Sequence, residues 1–348
     1  MRKGIGRRLT AISGIIAILS GIAMLATSAY LCCRFGNTAS ILPPASKHLA
    51  AQKKDFRIAF FGDFAMQKDV IVPVLKQISA DRVDFAISVG DMFRTIRGAE
   101  GAYLVELLQK NLSVPMCAIP GNHDLDFRNL EKYTHYFGNP DYFFFFGDTL
   151  FIMLNDNAPI KSTPEIRQLL LPEVQQINPK YVSGIDDETL AWLENVLSHY
   201  RQDFRRCVLV MHRPPVAPPA MYRHTRDAIV DHQLKPLIKR FPIDAIVSGH
   251  LHVSGQSDFE GVPVYHVPCS GQKMRDTLHP DFGYLTLHFT GSGKIEAIPS
   301  FLPGLKRGRN YFLNYLVVEI PGNCRYYCCA WLLLAVGLGL LMAARKRS

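Results

Sequence analysis

Five short polar motifs lie in order along the middle of this 348-residue sequence, and their side chains are of the types that bind metal ions. Asp and Asn supply hard oxygen atoms and His supplies an imidazole nitrogen, a mixture that suits divalent cations. Two such ions about 3.5–4 Å apart, sharing one carboxylate, can hydrolyse a phosphate ester. The motifs are Gly62-Asp63, Gly90-Asp91, Gly121-Asn122-His123-Asp124, Met211-His212 and Gly249-His250-Leu251-His252.

Each motif follows a run that is rich in β-branched or aromatic residues, which is typical of a buried strand. Open α/β sheets place their active sites at the carboxyl ends of the strands, so these runs are expected to deliver the five motifs to one edge. A single motif of this kind would be a weak signal, whereas five in this order make a strong one. The predicted strands are 57–61, 84–89, 114–119, 207–210 and 243–248.

Helical spacing between these strands, and strand-like runs after them, predict an α/β alternation. Residues 142–146 contain four consecutive Phe residues and are predicted to form a strand buried on both faces, in a β-hairpin with 149–154. Residues 158–182, which contain four Pro residues, are predicted to be an insertion that shapes the substrate cleft. The remaining predicted elements are helices at 70–79, 102–110 and 186–199 and strands at 262–267 and 284–289.

Over about residues 57–290, the ordered motifs resemble those of the calcineurin-like metallophosphoesterase superfamily. The resemblance implies an α/β fold of two packed mixed sheets flanked by helices, with the metal centre on loops at the strand ends. It also implies hydrolysis of a phosphomonoester or phosphodiester, with metal-bound hydroxide as the nucleophile. The implied cofactors are divalent metal ions, two in number, such as Mn, Fe or Zn.

The resemblance also implies a role for each motif residue. Asp91 should bridge the two metals, and His123 should steady the transition state or protonate the leaving oxygen. Asp124 is expected to fix its own loop. Carried over by position, the ligands of the first metal are Asp63, Asp91 and His252, and those of the second are Asp91, Asn122, His212 and His250.

The first motif departs from the family pattern, which has a His two positions after the Asp. This chain has Ala65 there, and alanine cannot bind a metal. Some relatives have a substitute Tyr three positions after the second Asp, but that position is Arg94 here. The first site is therefore expected to bind its metal more weakly. A catalytically weak membrane receptor or scaffold that retains the fold stays open as an alternative function.

Three residues outside the metal motifs are candidates for contacting the substrate. Arg94 follows the bridging carboxylate closely, and a guanidinium fork suits a phosphate oxyanion. Arg223 and His224 follow a proline-stiffened loop that begins just after His212. For all three, an ordinary solvated loop residue is the alternative interpretation.

Both ends of the chain carry a long uncharged stretch, 25 residues at 9–33 and 19 residues at 326–344. Each is long enough to cross a hydrocarbon core of about 30 Å as a helix. The basic residues that flank them predict cytoplasmic ends and a catalytic domain on the extracytoplasmic side. A cleaved signal peptide is the alternative for the first stretch.

These features together predict the organisation of the chain. It comprises a basic tip and transmembrane helix (1–34), a linker (35–55), the metallophosphoesterase domain (56–300), a juxtamembrane segment (301–323) and a C-terminal transmembrane helix with a basic tail (324–348).

The net charge of +9 belongs to the two ends of the chain. Residues 35–323 carry 30 basic and 30 acidic side chains, so the body of the protein is formally neutral. A nucleic-acid-binding fold would usually carry a basic surplus of its own, and no nucleic-acid partner is expected. A nuclease of the same superfamily remains a second alternative. The expected partners are the membrane and a phosphate-ester substrate, with a lipid-linked ester as one option.

Overall fold

The computed structural model describes residues 2–35, 53–93, 100–125, 130–169, 179–216, 228–273, 275–276, 278–307 and 324–346. Within these residues the helices are α1 (Arg2–Phe35), α2 (Lys68–Ala80), α3 (Glu100–Asn111), α4 (Leu130–Phe137), α5 (Pro164–Leu169), α6 (Asp187–Tyr200), α7 (Ala228–Arg240) and α8 (Cys324–Lys346). The strands are β1 (Phe56–Phe61), β2 (Phe85–Ser88), β3 (Met116–Ala118), β4 (Tyr142–Phe146), β5 (Thr149–Met153), β6 (Ala158–Lys161), β7 (Tyr181–Gly184), β8 (Arg206–Met211), β9 (Ala245–Ser248), β10 (Gly255–Phe259), β11 (Val262–His266), β12 (Phe282–Phe289) and β13 (Ile295–Leu302).

The strands form two mixed sheets and one small hairpin sheet. The first sheet has the order β13-β12-β1-β2-β3, and the second has the order β10-β11-β9-β8-β5-β4. Neighbours are parallel from β1 to β3 and from β11 to β5, and the outer pairs are antiparallel. The parallel stretches place the carboxyl ends of β1, β2, β8 and β9 where the polar motifs begin. The predicted α/β fold with two mixed sheets is confirmed.

Aromatic side chains fill the space between the two sheets. Phe56 and Phe289 of the first sheet stack with ring centroids 4.6 Å apart, and Phe151 of the second sheet meets Phe289 edge-on at 5.6 Å. Phe85 reaches Phe144 across the same gap at 5.8 Å. Because each large ring removes roughly 150–250 Å² from water, this layer supplies much of the force that holds the sheets together.

A second apolar layer covers the outer face of the second sheet. Leu209 and Ile246 point outward from β8 and β9 and belong to one buried cluster with Leu193 of α6 and Leu234 of α7. The Asp186 side chain caps α6 by accepting a hydrogen bond from the Thr189 backbone N–H at 2.8 Å, as its N-cap position requires. The central strands β5, β8 and β9 of the second sheet are therefore buried on both faces, which agrees with their nearly continuous apolar sequences.

The Phe-rich hairpin forms as predicted, but the outer face of β4 is only half-buried. Strands β4 and β5 are joined by the two residues Gly147 and Asp148. Phe144 and Phe146 lie in the layer between the sheets, whereas Phe143 and Phe145 pack on the outer cluster. Within the predicted 158–182 insertion, the described residues form α5 and the β6–β7 hairpin.

The two terminal helices pack closely against each other and belong to one compact unit, which also includes the first part of α3. Small residues make the contact: a Cβ added to Gly14 would lie 2.9 Å from the Gly337 carbonyl oxygen, and one added to Gly21 would lie 2.8 Å from that of Ala330. In the described part of the chain, none of the helices has the length and apolar character needed to cross a membrane. The two predicted transmembrane spans are therefore not shown.

Replacing Phe151 by Ala should lower the free energy of unfolding by about 3–5 kcal/mol, because the ring is fully buried among other rings and would leave a cavity. Chemical denaturation followed by circular dichroism measures this loss. The matched control is Ile298→Ala in β13, where the side chain is 44 % exposed and the expected change is within about 0.5 kcal/mol. Equal effects of the two variants would contradict the assignment of Phe151 to the core.

Candidate metal centre

The ends of four strands bring most of the predicted metal-binding residues together. Asp63 lies two residues after β1, Asp91 three after β2, and His212 directly follows β8. His250 lies two residues after β9. Backbone hydrogen bonds tie the loops to one another: Asp63 N–H donates to the Gly90 carbonyl at 3.0 Å, and Gly249 N–H donates to the His212 carbonyl at 3.1 Å. Each sheet therefore supplies part of one site.

Four of the six predicted metal ligands have a backbone conformation that is rare for residues other than glycine. The φ angles are +53° at Asp63, +52° at Asp91, +67° at His250 and +58° at His252. Such left-handed conformations cost free energy and concentrate at functional sites. Here the left-handed residues turn the chain sharply in the loops that follow β1, β2 and β9.

Asp63, Asp91 and His212 form the centre of the site. Each residue offers one ligand atom, and these three atoms all lie within 4.8 Å of one another. His212 Nε2 is 3.3 Å from Asp91 Oδ1 and 3.2 Å from Asn122 Oδ1, and His252 Nε2 is 3.4 Å from Asp63 Oδ1. Two buried carboxylates so close to imidazole nitrogens are the arrangement that a divalent cation stabilises.

Hydrogen bonds fix the orientation of two imidazoles. His212 Nδ1 is 2.8 Å from the Val89 carbonyl oxygen, and His252 Nδ1 is 2.7 Å from that of Lys273. A carbonyl only accepts, so each Nδ1 carries the proton and donates it. Each Nε2 is thereby directed at the carboxylates. Metal-binding histidines are typically held by a hydrogen bond of this kind from the other ring nitrogen.

The pKa shifts agree with a site for positive charge. Burial acts to raise the pKa of Asp63, but the imidazoles of His252 and His212 outweigh it and hold that pKa below its usual range. Burial, followed by repulsion from His212, lowers the pKa of His250 well below its usual value, so this imidazole is neutral. Burial acts to lower the pKa values of His212 and His252, but the charges of Asp91 and Asp63 outweigh it and raise both pKa values, so a metal ion that binds here would displace protons from these two rings.

The Gly121–Asp124 loop lies against the bridging carboxylate. His123 backbone N–H donates to Asp91 Oδ1 at 2.9 Å, and His123 Nε2 is 3.9 Å from Asp91 Oδ2. The Asp124 carboxylate accepts hydrogen bonds from the N–H groups of Gly121 and Phe93, both at 2.8 Å. Asp124 therefore fixes this loop to the one that follows β2, as the sequence predicts.

The structure places the six predicted ligands in one region. Asp63, Asp91, Asn122, His212 and His252 are within 3.5 Å of another member of the set, and the His250 ring centroid is 5.1 Å from that of His212. The predicted substrate residues Arg94, Arg223 and His224 lie outside the residues that the structure describes.

Sequence reasoning missed Gln272, whose Nε2 donates a hydrogen bond to Asp91 Oδ2 at 3.2 Å. It lies six residues after the end of β11, in a loop that also runs along the first motif. The signal that found the other motifs, a polar residue shortly after a predicted strand, applies to Gln272 as well. Gln272 was not identified because the sequence Ser270-Gly271-Gln272 has no characteristic metal-ligand pattern.

A cavity of about 640 Å³ has Leu125, at the end of the Gly121–Asp124 loop, in its wall. Asn157 Nδ2 donates to the Pro120 carbonyl at 3.3 Å and links the cavity wall to the start of that loop. The cavity lies partly against the segment that was predicted to shape a substrate cleft. Its other lining residues include Asp141, Pro159, Asp186 and Trp192.

Two packed mixed sheets, with a site of oxygen and imidazole ligands on the loops at their strand ends, define the metallophosphoesterase class of fold. The model of the calcineurin-like phosphoesterase family matches residues 56–254, more than half of the chain. The chain therefore belongs to the calcineurin-like phosphoesterase family. This family uses divalent metal ions, and the donor set of this chain fits them.

Solved structures of distant proteins share the fold. GAP50, the anchor in the inner membrane complex of Plasmodium, has 14 % identity and a TM-score of 0.50, over 73 % of this chain and 87 % of its own. A dimetal phosphatase from Danio rerio has 13 % identity and a TM-score of 0.50, over 74 % and 100 %. PhoD has 13 % identity and a TM-score of 0.50, over 72 % and 69 %. No curated protein matches the sequence.

Replacing Gly121 by Ala should weaken metal binding by about 10–100-fold, the range found when a support of a metal ligand is lost. The added methyl group would collide with Asp91 Oδ1 and displace the carboxylate. Titration of the purified protein with Mn²⁺ measures the affinity. Gly291→Ala is the control, because its nearest neighbouring atom is 4.0 Å away. An unchanged affinity in Gly121→Ala would contradict the role of Asp91 as a ligand.

Proposed function

We propose that this protein is a metal-dependent phosphoesterase that hydrolyses a phosphomonoester or phosphodiester. The observation that carries the proposal is the buried group of Asp63, Asp91 and His212, in which the His212 ring is held with its Nε2 facing the carboxylates. When bound, divalent ions supply a Lewis acid and an activated water at this point. Family membership favours the same reaction.

The residues of the chain have distinct tasks in this proposal. In this proposal Asp91 serves both metal sites, which its 3.3 Å distance from His212 and its place in one group with Asp63 support. Asp63 and His252 complete one site, and Asn122, His212 and His250 complete the other. The His123 side chain is 45 % exposed at the rim of the site, so it is accessible to the leaving group of a bound ester. It donates a proton there or steadies the transition state.

One specific observation favours a second function. Ala65 removes a ligand that the family pattern contains, and the fold is shared with GAP50, which is an anchor in the inner membrane complex of Plasmodium. A scaffold that retains the fold and one metal site is therefore the competing proposal. The six retained ligand positions favour the enzyme, because drift after a loss of function would damage several of them.

We also propose that the α1–α8 pair holds the protein at a membrane, with the central domain on the extracytoplasmic side. The small residues of the pair face each other, while several large apolar side chains are exposed around it. A close contact through small residues, with large apolar side chains outward, is typical of helices that associate in lipid. Exposed fractions are 60 % for Ile16 and Leu19, 63 % for Trp331 and Leu332, and 64 % for Met342.

Membrane attachment bears on the choice of substrate. A phosphate ester carried on a lipid would remain within reach of a tethered domain, so a lipid-linked ester is the substrate class that we favour. The body of the protein is formally neutral, which gives no support to a nucleic-acid substrate.

Replacing Asp91 by Asn should reduce hydrolysis of aryl phosphate esters by about a hundredfold or more, since even an indirect support of a metal ligand is worth 10–100-fold. The assay uses the Mn²⁺-loaded protein, with phosphomonoesters and phosphodiesters in parallel. Asp187→Asn, an exposed residue in the first turn of α6, is the control and should keep full turnover. Loss of turnover on chelation should accompany the loss in Asp91→Asn.

A folded wild-type protein that binds Mn²⁺ but turns over no ester of either kind would favour the scaffold. Turnover that Asp91→Asn leaves intact would place the reaction at another site.

The membrane proposal predicts that the full-length protein floats with phospholipid vesicles in a density gradient and stays with them at 1 M salt, because apolar contact is not screened by ions. Recovery of the protein in the soluble fraction would contradict the attachment.

The proposed orientation predicts that protease added to intact cells, or to spheroplasts where an outer membrane is present, digests the central domain. Full protection of the domain, beside a digested external control protein, would reverse the orientation.

A further inference from the structure

Ala65 leaves a gap in the ligand set of the first metal. It is buried, with 5 % of its surface exposed, and its backbone N–H donates to the Asp91 carbonyl at 3.0 Å. Its position beside Asp91 is therefore retained although its side chain carries no ligand atom. The remaining predicted ligands of this metal are Asp63, Asp91 and His252.

The loop after β11 lies along the same motif. Ser270 N–H donates to the Gly62 carbonyl at 3.0 Å, and Gln272 N–H donates to the Asp63 carbonyl at 2.7 Å. Gly271 makes this close approach possible, because an added Cβ would lie 3.0 Å from both the Phe64 carbonyl oxygen and Gln67 Cβ. Two backbone hydrogen bonds and one glycine thus hold Gln272 beside the first metal-binding motif.

The Gln272 side chain reaches the carboxylate oxygen of Asp91 that faces away from His212. Asp91 Oδ1 is engaged by His212 Nε2 at 3.3 Å and His123 N–H at 2.9 Å, whereas Oδ2 accepts a hydrogen bond from Gln272 Nε2 at 3.2 Å. Oδ1 faces His212, a predicted ligand of the second metal, whereas the Gln272 backbone is bonded to Asp63, a predicted ligand of the first. The amide of Gln272 is therefore on the side of the first metal.

We propose that Gln272 supplies the ligand that Ala65 lacks, with its amide oxygen binding the first metal ion. The inference rests on the proposed metal site. An amide presents a donor nitrogen and an acceptor oxygen on the same carbon, so a half-turn of the group exchanges one for the other at the same place. Amide oxygens are hard ligands for divalent cations. Like the histidine of the family pattern, Gln272 is neutral, so the net charge of the site is unchanged.

A purely structural role for Gln272 makes different predictions. If the amide only donated to Asp91, a His at residue 65 would not replace that hydrogen bond, so Ala65→His would not restore metal binding in the Gln272→Ala background. If the oxygen binds the metal, Gln272→Glu keeps a ligand atom there and adds a charge that attracts the cation. Restoration of binding by Ala65→His therefore separates a ligand from a positioning residue.

The test is a Mn²⁺ titration of the full-length protein, with free Mn²⁺ counted by its electron paramagnetic resonance signal. Gln272→Ala should weaken the weaker of two sites by about tenfold or more and leave the other unchanged. Gln272→Glu should bind at least as tightly as the wild type. Ala65→His should restore the weaker site in the Gln272→Ala background and add little in the wild type, because the two ligands fill one place. His tolerates the left-handed φ of +40° at residue 65 better than most residues.

The control is Gln256→Ala, which removes an exposed amide on β10 and should change neither site. An unaltered titration in Gln272→Ala, or a glutamate variant as weak as the alanine variant, would overturn the inference. If Asp91→Asn abolishes Mn²⁺ binding and Gln272→Ala leaves it unchanged, only the role of Gln272 is overturned. A folded wild-type protein that binds no Mn²⁺ would overturn the proposed function as well.

Discussion

The carboxylate of Asp91 is the group on which the loops of both sheets converge. It contacts His212 from the second sheet, the backbone of His123 from the loop after β3, and Gln272 from the loop after β11. Its own carbonyl accepts hydrogen bonds from Phe64 and Ala65. Asp91 and Asp63 are both almost fully buried, and two buried anions in one place are costly without compensating positive charge. A bound cation would remove that cost, so metal binding and stability of the fold are linked.

Much of the fold follows from the periodicity of the sequence. The strands before the motifs, the Phe-rich hairpin and helix α6 were predictable because each pairs a clear apolar pattern with a turn or cap residue. Helix α7 and strand β13 were not predicted, and each carries a proline, at Pro236 and Pro299, although Pro73 did not hide helix α2. Tertiary packing, which no local window contains, decides such segments.

The residue types that form the site could be predicted from the sequence, but the geometry of the site could not. Short motifs identify Asp63, Asp91, Asn122 and the histidines because those residue types at strand ends have few other uses. Which carbonyl orients each imidazole could not be inferred, because Val89 and Lys273 act through backbone atoms that every residue has. Gln272 could not be identified from the sequence for a related reason. Its importance depends on a loop from elsewhere in the chain that lies beside Ala65.

The pairing of α1 with α8 has a consequence for how the chain is made. The Gly14–Gly337 contact joins two positions that lie far apart in the sequence, with the whole of both sheets between them, so its contact order is high. During synthesis α1 emerges before the sheets and must wait for them to be translated before its partner exists. Throughout that interval its glycine face is not covered by α8. Closure of the helix pair is thus a late event of biogenesis, because it requires a chain translated beyond Gly337.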